Sequence, residues 1–227
     1  MNQNLSPLLI SLKTSIFATF ITVVIGILIA YKMSNYKGKL KWLLDGIFTL
    51  PLILPPTVVG FAILFLVGKN GFIGEFFLKY NMNIIFSWEA TVICAVVVSF
   101  PMMYRTTRAA FEQIDNNMIL AARTLGLSEW RIFYKIAIPL ALPGIIAGTV
   151  LAFARALGEF GATLMVAGNI PGKTQTMPLA IFFAVESGDM DKAILWVIIM
   201  FILSIFMILI LNLWSDKQAK IIGKRYR

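Results

Sequence analysis

Arg155 and Glu159 stand four residues apart within the apolar run from Leu140 to Met165. At that spacing two side chains share one face of a helix. A charge at membrane depth costs about 2.5–3.5 kcal/mol on insertion scales, so it faces a partner or a water-filled path. Two readings follow: a structural pair that fixes one helix against another, or a face bordering a transport route. Because the carboxylate repels anions, Arg155 alone does not identify an anion contact. A second constellation, Gly168-Asn169-Ile170-Pro171-Gly172-Lys173-Thr174, has the outline of a phosphate-binding loop. That signature needs four residues between its glycines; this stretch has three, and one of them, Pro171, has no N–H to offer a phosphate. No ATP site is expected there, and ATP-driven work would fall to a separate subunit. Histidine is absent from the chain, which excludes Ser-His and Cys-His pairs and the histidine-based zinc motifs. The single cysteine, Cys94, lies inside an apolar run, where packing is the expected role rather than a disulfide or a metal cluster. Neither catalytic residues nor metal ligands are expected.

A third pattern suits contact with another protein. Leu120-Ala121-Ala122-Arg123-Thr124-Leu125-Gly126, followed ten residues after the glycine by Ile136-Ala137-Ile138-Pro139, predicts a short helix with a small-residue face and a glycine stop. Gly126 is expected in the left-handed conformation that ends the first helix. Ser128 is expected to cap a second helix, with Glu129 in its first turn against the helix dipole. Trp130, Phe133 and Ile136-Ala137 give that second helix an apolar face at helical spacing, and it is expected to lie along the membrane surface until Pro139 and Pro143 open the fourth run. Helix, turn, helix is also the outline of a DNA-reading unit. A segment tied at both ends to membrane runs cannot easily lay its second helix in a major groove, so no nucleic-acid partner is expected.

The elements that must position these residues are membrane helices. Of 227 residues, 59% are hydrophobic and 14% charged, with a mean hydropathy of +0.85; a soluble domain keeps more charge on its surface. About 20 apolar residues cross a bilayer as a helix. Five runs qualify: Leu8 to Tyr31, Leu43 to Val67, Ile84 to Tyr104, Leu140 to Met165 and Ala193 to Trp214. A β-barrel needs alternating segments, and these runs are continuous, so the expected class is an all-α integral membrane protein with five transmembrane helices. A short sixth helix, re-entrant or at the surface, is expected over 174–185. The first run lacks a basic leader and a small-residue cleavage site, and is expected to remain as an anchor.

Charge sets the expected orientation. The net charge is +9. Lys32, Lys37, Lys39 and Lys41 follow the first run; Arg105, Arg108, Arg123, Arg131 and Lys135 follow the third; Lys217, Lys220, Lys224, Arg225 and Arg227 fill the tail. The opposite side holds Lys69, Lys79, Lys173 and Lys192. The positive-inside rule then places the N-terminus outside and the C-terminus inside. Asp45 and Glu89, near the ends of runs, are expected to be solvated. In the second run, Pro51, Pro55 and Pro56, with Thr57 and Gly60, must interrupt the hydrogen-bond ladder, and interrupted membrane helices line cavities or hinges. Gly144 and Gly148 form a Gly-x-x-x-Gly pair that permits close helix packing.

Taken together, these residues resemble the membrane subunits of bacterial binding-protein-dependent ABC importers. The cytoplasmic EAA motif of that family reads Glu-Ala-Ala, three residues, Gly, nine residues, then Ile-x-Leu-Pro. This chain matches it at Ala121, Ala122, Gly126, Ile136 and Pro139, with Leu120 in the Glu position and Ile138 in the Leu position. The stretches Arg155 to Thr163 and Gly168 to Leu179, with Pro55-Pro56-Thr57-Val58-Val59-Gly60, look like the molybdate-transport branch, to which sulfate and tungstate permeases are related. The resemblance implies a single transmembrane domain over 1–227 with a cytoplasmic coupling segment over 105–139, in a bacterial or archaeal cytoplasmic membrane. It implies a second copy of the chain, two ABC ATPase subunits that carry the ATP and Mg, and an extracytoplasmic oxyanion-binding protein, with no cofactor bound by this chain. In the family the helix around Ala121 to Gly126 docks in the ATPase. Pro55, Pro56, Thr57, Arg155 and Glu159 are candidates for the pathway or for helix packing. The competing reading is an ion-coupled secondary transporter; it calls for titratable midplane groups or inverted repeats, of which the sequence offers little.

Overall fold

A computed structural model describes residues 5–69, 71–80 and 84–225. The basic side chains of the tail, from Lys217 to Arg227, lie outside what is described. Every regular element among the described residues is helical. Four helices are long and apolar enough to cross a membrane, and a bent pair would make a fifth.

Helix α1 (Ser6–Asn35) and α5 (Trp88–Glu112) form the centre of the bundle. Small and hydroxyl residues recur on one face of α1, at Ser11, Ser15, Ala18, Thr22, Gly26 and Ala30, and all are buried. Such a stripe lets backbones approach, and its hydroxyls bond across the gap. Thr14 Oγ1 lies 3.0 Å from Thr91 Oγ1, and Thr22 Oγ1 lies 3.2 Å from Ser99 Oγ. Eight residues along α1 match eight along α5, so the two helices run parallel. Helix α8 (Ile138–Leu157) packs on α5 in the opposite sense. A Cβ at Gly144 would fall 2.3 Å from Ala110 Cβ, and one at Gly148 would fall 3.1 Å from Met103 Sδ. The Gly-x-x-x-Gly pair therefore serves helix packing.

The second run differs from one kinked helix. It is two helices, α2 (Lys41–Ile53) and α3 (Pro56–Val67), bent by 115° at Leu54-Pro55. Leu54 is driven extended by the proline that follows it, and Pro56 suits the first turn of α3, where its missing N–H leaves nothing unsatisfied. A short α4 (Phe72–Leu78) follows. Helix α5 begins at Trp88, later than expected, because Ser87 accepts from the Ala90 N–H as its cap. It then runs eight residues past Tyr104.

Between α5 and α8 the expected surface helix gives way to a continuous one. Helix α6 (Asn116–Thr124) is separate, but α7 (Glu129–Ile132) passes through a π-helical turn at Phe133–Ala137 straight into α8. The extra residue in that turn lets Ile138 donate to Phe133 O, relieving the ladder where Pro139 cannot donate. Ser128 is extended but makes no capping bond among the described residues.

The fourth run also breaks. Gly158 ends α8, Glu159 and Phe160 are not helical, and α9 (Gly161–Ala167) starts afresh. Helix α10 (Met177–Glu186) has ten residues, about 15 Å, which is half a bilayer core. Met177, Leu179 and Ala180 are buried, and the Met177 N–H donates to Ser11 Oγ at 2.7 Å, so α10 is seated on α1 rather than lying free on a surface. Helix α11 (Met190–Arg225) packs through Ala193 and Trp196 near its start.

Candidate functional site

The two helix breaks meet. A Cβ on Gly161 would lie 2.9 Å from Pro56 Cβ and 3.4 Å from the Thr57 N, and one on Gly60 would lie 2.7 Å from Ala162 Cα. Half-helices α3 and α9 therefore approach backbone to backbone, directly beyond their breaks. Pro56, Thr57 and Glu159, more than 100 residues apart in sequence, are brought to one place. Gly60→Ala is expected to force α3 away from α9 at a cost of about 1–3 kcal/mol, read as a melting temperature several degrees lower in detergent. An unchanged melting temperature would show that the two half-helices can separate freely.

Glu159 holds this junction. Its side chain is 2% exposed. Oε2 accepts from Arg155 Nη1 at 2.9 Å, while Oε1 accepts from the Ala162 N–H at 2.8 Å and so caps α9. The sequence places Arg155 and Glu159 on one helical face; instead the helix has ended between them, and the carboxylate bridges the end of α8 to the start of α9. Arg155 keeps 27% of its side chain exposed. Behind the junction Cys94 is fully buried and its Sγ–H donates to Ala162 O at 3.4 Å, in keeping with a packing role.

At the far end of α5 lies an ionic cluster whose central pair, Asp45 with Arg108, has no local sequence signal. Asp45 on α2 is not freely solvated: it accepts from the Tyr104 hydroxyl and from Arg108. Arg108 Nε also donates to Glu112 Oε1 at 2.8 Å, and Lys41 Nζ lies 3.5 Å from the same oxygen. Arg108 belongs to the basic group that topology explains, and its partner is 63 residues away. No spacing rule pairs them.

The segment around Gly126 forms a closed knuckle. Gly126 has φ +78°, the left-handed value expected. Its N–H donates to Arg123 O at 2.9 Å, and the Leu127 N–H donates to Ala122 O at 3.1 Å, the paired bonds of a Schellman stop, completed by apolar contact around Ala122 and Leu127. Asp115 caps α6 by accepting from the Asn117 N–H at 2.9 Å, a cap legible as Asp-Asn-Asn that the reading of Ser128 overlooked. Arg123 grips Glu129 across the turn with two bonds, 2.7 and 3.1 Å. Hydrogen bonding to that carboxylate, and then its charge, raises Arg123 above the ordinary guanidinium value.

This geometry divides the motif residues into two groups. Ala122 is buried with Ile119 and Ile132, and Ile136 packs against them. They build the inside of the knuckle, not its outer face. Ala121 and Pro139 are exposed. Leu120, Leu125, Trp130 and Tyr134 also project outward, with Leu125 81% exposed.

The loop at 168–174 is closed too. The Lys173, Thr174 and Gln175 N–H groups all turn onto Ile170 O, and Thr174 Oγ1 accepts from the Ile170 N–H and donates to Gly168 O. Donors that would cradle a phosphate are consumed within the turn.

The sequence pattern of the family described as "Binding-protein-dependent transport system inner membrane component" matches residues 22–227. "Molybdenum transport system permease protein ModB" of Escherichia coli (strain K12) is 44% identical over 220 residues, covering 96% of this chain and 94% of that protein. The protein of the same name from Haemophilus influenzae (strain ATCC 51907 / DSM 11121 / KW20 / Rd) is 37% identical over 219 residues, or 96% of each chain. Among solved structures, the bacterial alginate ABC transporter in complex with alginate pentasaccharide-bound periplasmic protein has a chain of the same fold. Its TM-score is 0.75 at 14% identity, over 97% of this chain and 81% of that one.

Proposed function

This chain belongs to the family of binding-protein-dependent transport system inner membrane components, and from that premise we propose that it is the permease subunit of an ATP-driven importer of molybdate. The observation that carries the substrate is the end-to-end identity with the permeases named for molybdenum transport. The mechanism rests on the exposed knuckle at Leu120 to Tyr134 and on the two helix breaks that meet inside the bundle.

In this reading the basic loops face the cytoplasm, and two copies of the chain stand above two ABC ATPase subunits, which hold the ATP and Mg. The oxyanion-binding protein delivers from the opposite face. Ligand-driven closure of the ATPases shifts the permease between inward-open and outward-open states only if it interacts differently with the two. A knuckle rigidified by the Gly126 stop and the Arg123–Glu129 grip supplies that difference, because it moves as one body with its docking surface. The continuous helix from Glu129 to Leu157 carries the displacement to the break at Gly158. There the Arg155–Glu159 pair and the α3–α9 contact form a hinge at membrane depth. Loops and half-helices absorb such a movement better than unbroken helices.

Tracer molybdate uptake by cells expressing this chain with its ATPase and binding protein tests the proposal. Uptake is expected to need all three components, to be displaced by excess tungstate and to resist excess sulfate. Vigorous sulfate uptake without molybdate uptake would move the substrate to the sulfate branch. Uptake by the purified chain alone in liposomes would instead establish an ion-coupled transporter.

A further inference from the structure

Helix α2 is poorly anchored for half of a membrane crossing: none of its described side chains is buried. What holds it to α5 is one short strip. Its apolar part is Phe48, edge-on to Phe100 and Tyr104 at 5.8 and 5.2 Å. Its polar part is Asp45, gripped by the Tyr104 hydroxyl and Arg108, with Lys41 Nζ 3.5 Å from Glu112 Oε1 at its edge. Tyr104 is fully buried and stacked on Phe100 at 5.8 Å, so its hydroxyl is aimed by packing. Arg108 is tied in turn to Glu112, in the last turn of α5. Four residues later α6 begins, and with it the knuckle.

We propose that the Asp45–Arg108 pair is a clasp that makes α2 follow the knuckle during transport, with Tyr104 and Glu112 as its positioning residues. This rests on the reading of the knuckle, Leu120 to Tyr134, as the ATPase contact. Two physical features suit a clasp that works in a cycle rather than a permanent rivet. The pair is only partly desolvated: the Arg108 and Asp45 side chains are 18% and 27% exposed. A cavity of about 430 Å³, lined by both residues with Thr49, Tyr104 and Arg105, opens beside it. Water reaches the pair there, so parting the charges does not strand either in an apolar interior. The link is also mechanically direct. Its two ends lie in the second turn of α2, the half-helix that leads to the 115° break, and on the last turns of α5 before α6. Movement of the knuckle thus reaches the broken span through the last turns of α5.

The test uses the full complex of permease, ATPase and binding protein in proteoliposomes, with molybdate uptake and ATP hydrolysis measured side by side. Asp45→Asn and Arg108→Gln are expected to keep the ATPase bound and hydrolysis within about twofold, while uptake per ATP hydrolysed falls at least tenfold. Arg108→Lys keeps the charge but cannot reach Asp45 and Glu112 together, and is expected to fall between. The exchange of Asp45→Arg with Arg108→Asp is expected to recover at least a third of the parental ratio. A ratio unchanged in the single variants overturns the clasp, whether or not total activity falls with the yield of assembled complex. So does an exchange that recovers nothing while its complex assembles normally. Failure of the reading beneath it would look different: the unmodified complex would then show no ATP-dependent uptake.

Discussion

Glu159→Ala is expected to destabilise the chain by about 3 kcal/mol and to reduce transport below a tenth of the parental rate. Removing one partner of a buried ion pair costs about 3–5 kcal/mol, because the other charge is left uncompensated. The lower end applies since Arg155 keeps 27% of its side chain exposed while Glu159 keeps 2%. The Ala162 N–H loses its acceptor in the same stroke, and a small shift of α9 lets that donor find another partner, so the ion-pair cost sets the total. At about 2–4 °C per kcal/mol for a chain of this size, the melting temperature in detergent should fall by roughly 6–12 °C. Glu159→Gln keeps an acceptor for the Ala162 N–H and should lose about half as much. Removing both charges, with Arg155→Ala and Glu159→Ala together, should be less damaging than Glu159→Ala alone, since no charge is then left over. A Glu159→Ala protein that melts with the parent would mean that the pair is solvated in the membrane and bears no structural load.

Gly126→Val should prevent stable assembly with the ATPase or cut uptake at least tenfold, by a cause that can be isolated. A Cβ built at Gly126 meets nothing within 4 Å, so steric clash is not the issue. Its φ of +78° is: left-handed backbone costs an ordinary L residue about 1–2 kcal/mol, and a β-branched one more. The knuckle escapes that strain only by unwinding the stop, which releases the Leu127–Ala122 bond and the grip of Arg123 on Glu129. Asparagine tolerates the left-handed region, so Gly126→Asn should retain most assembly and most uptake. Co-purification of the ATPase with each variant, followed by uptake, separates the cases. Normal assembly and transport with valine would remove the turn from the mechanism. Equal loss with valine and asparagine would point to the absence of any side chain, rather than backbone conformation, as the requirement.

The parts legible in the sequence were those governed by neighbours along the chain. Gly126 as a left-handed stop, the proline interruption after Ile53 and the close-packing glycines at 144 and 148 follow from the local conformational limits of glycine and proline. Helix ends were less legible, because side chains compete for the same backbone groups. Ser128 looks like a cap, but α7 and α8 form one helix through a π-turn, and the cap that forms is Asp115 on α6. Glu159 looked like the fourth residue along a helical face from Arg155. Its carboxylate instead takes the Ala162 N–H and begins a new helix, so the fourth run is broken as the second is. Of the two alanines, Ala121 faces outward as a small-residue face requires, and Ala122 faces inward. Ala122 is small because Ile119, Ile132 and Leu127 close over it, while the outer surface belongs to Leu120, Ala121 and Leu125.

By itself the sequence determined that this is an all-helical membrane protein, that its second run is interrupted at Pro55, and that Gly126 stops a short helix between the third and fourth runs. Hydropathy, proline and glycine act over a few residues and in every context, so no tertiary information is needed to read them. The folded chain alone decided that the two interruptions lie against each other, that Asp45 answers Arg108 across 63 positions, and which side of the knuckle each motif residue faces. Those are contacts between elements whose relative placement is set by many side chains packing at once, as where Gly60 and Gly161 let α3 and α9 meet backbone to backbone.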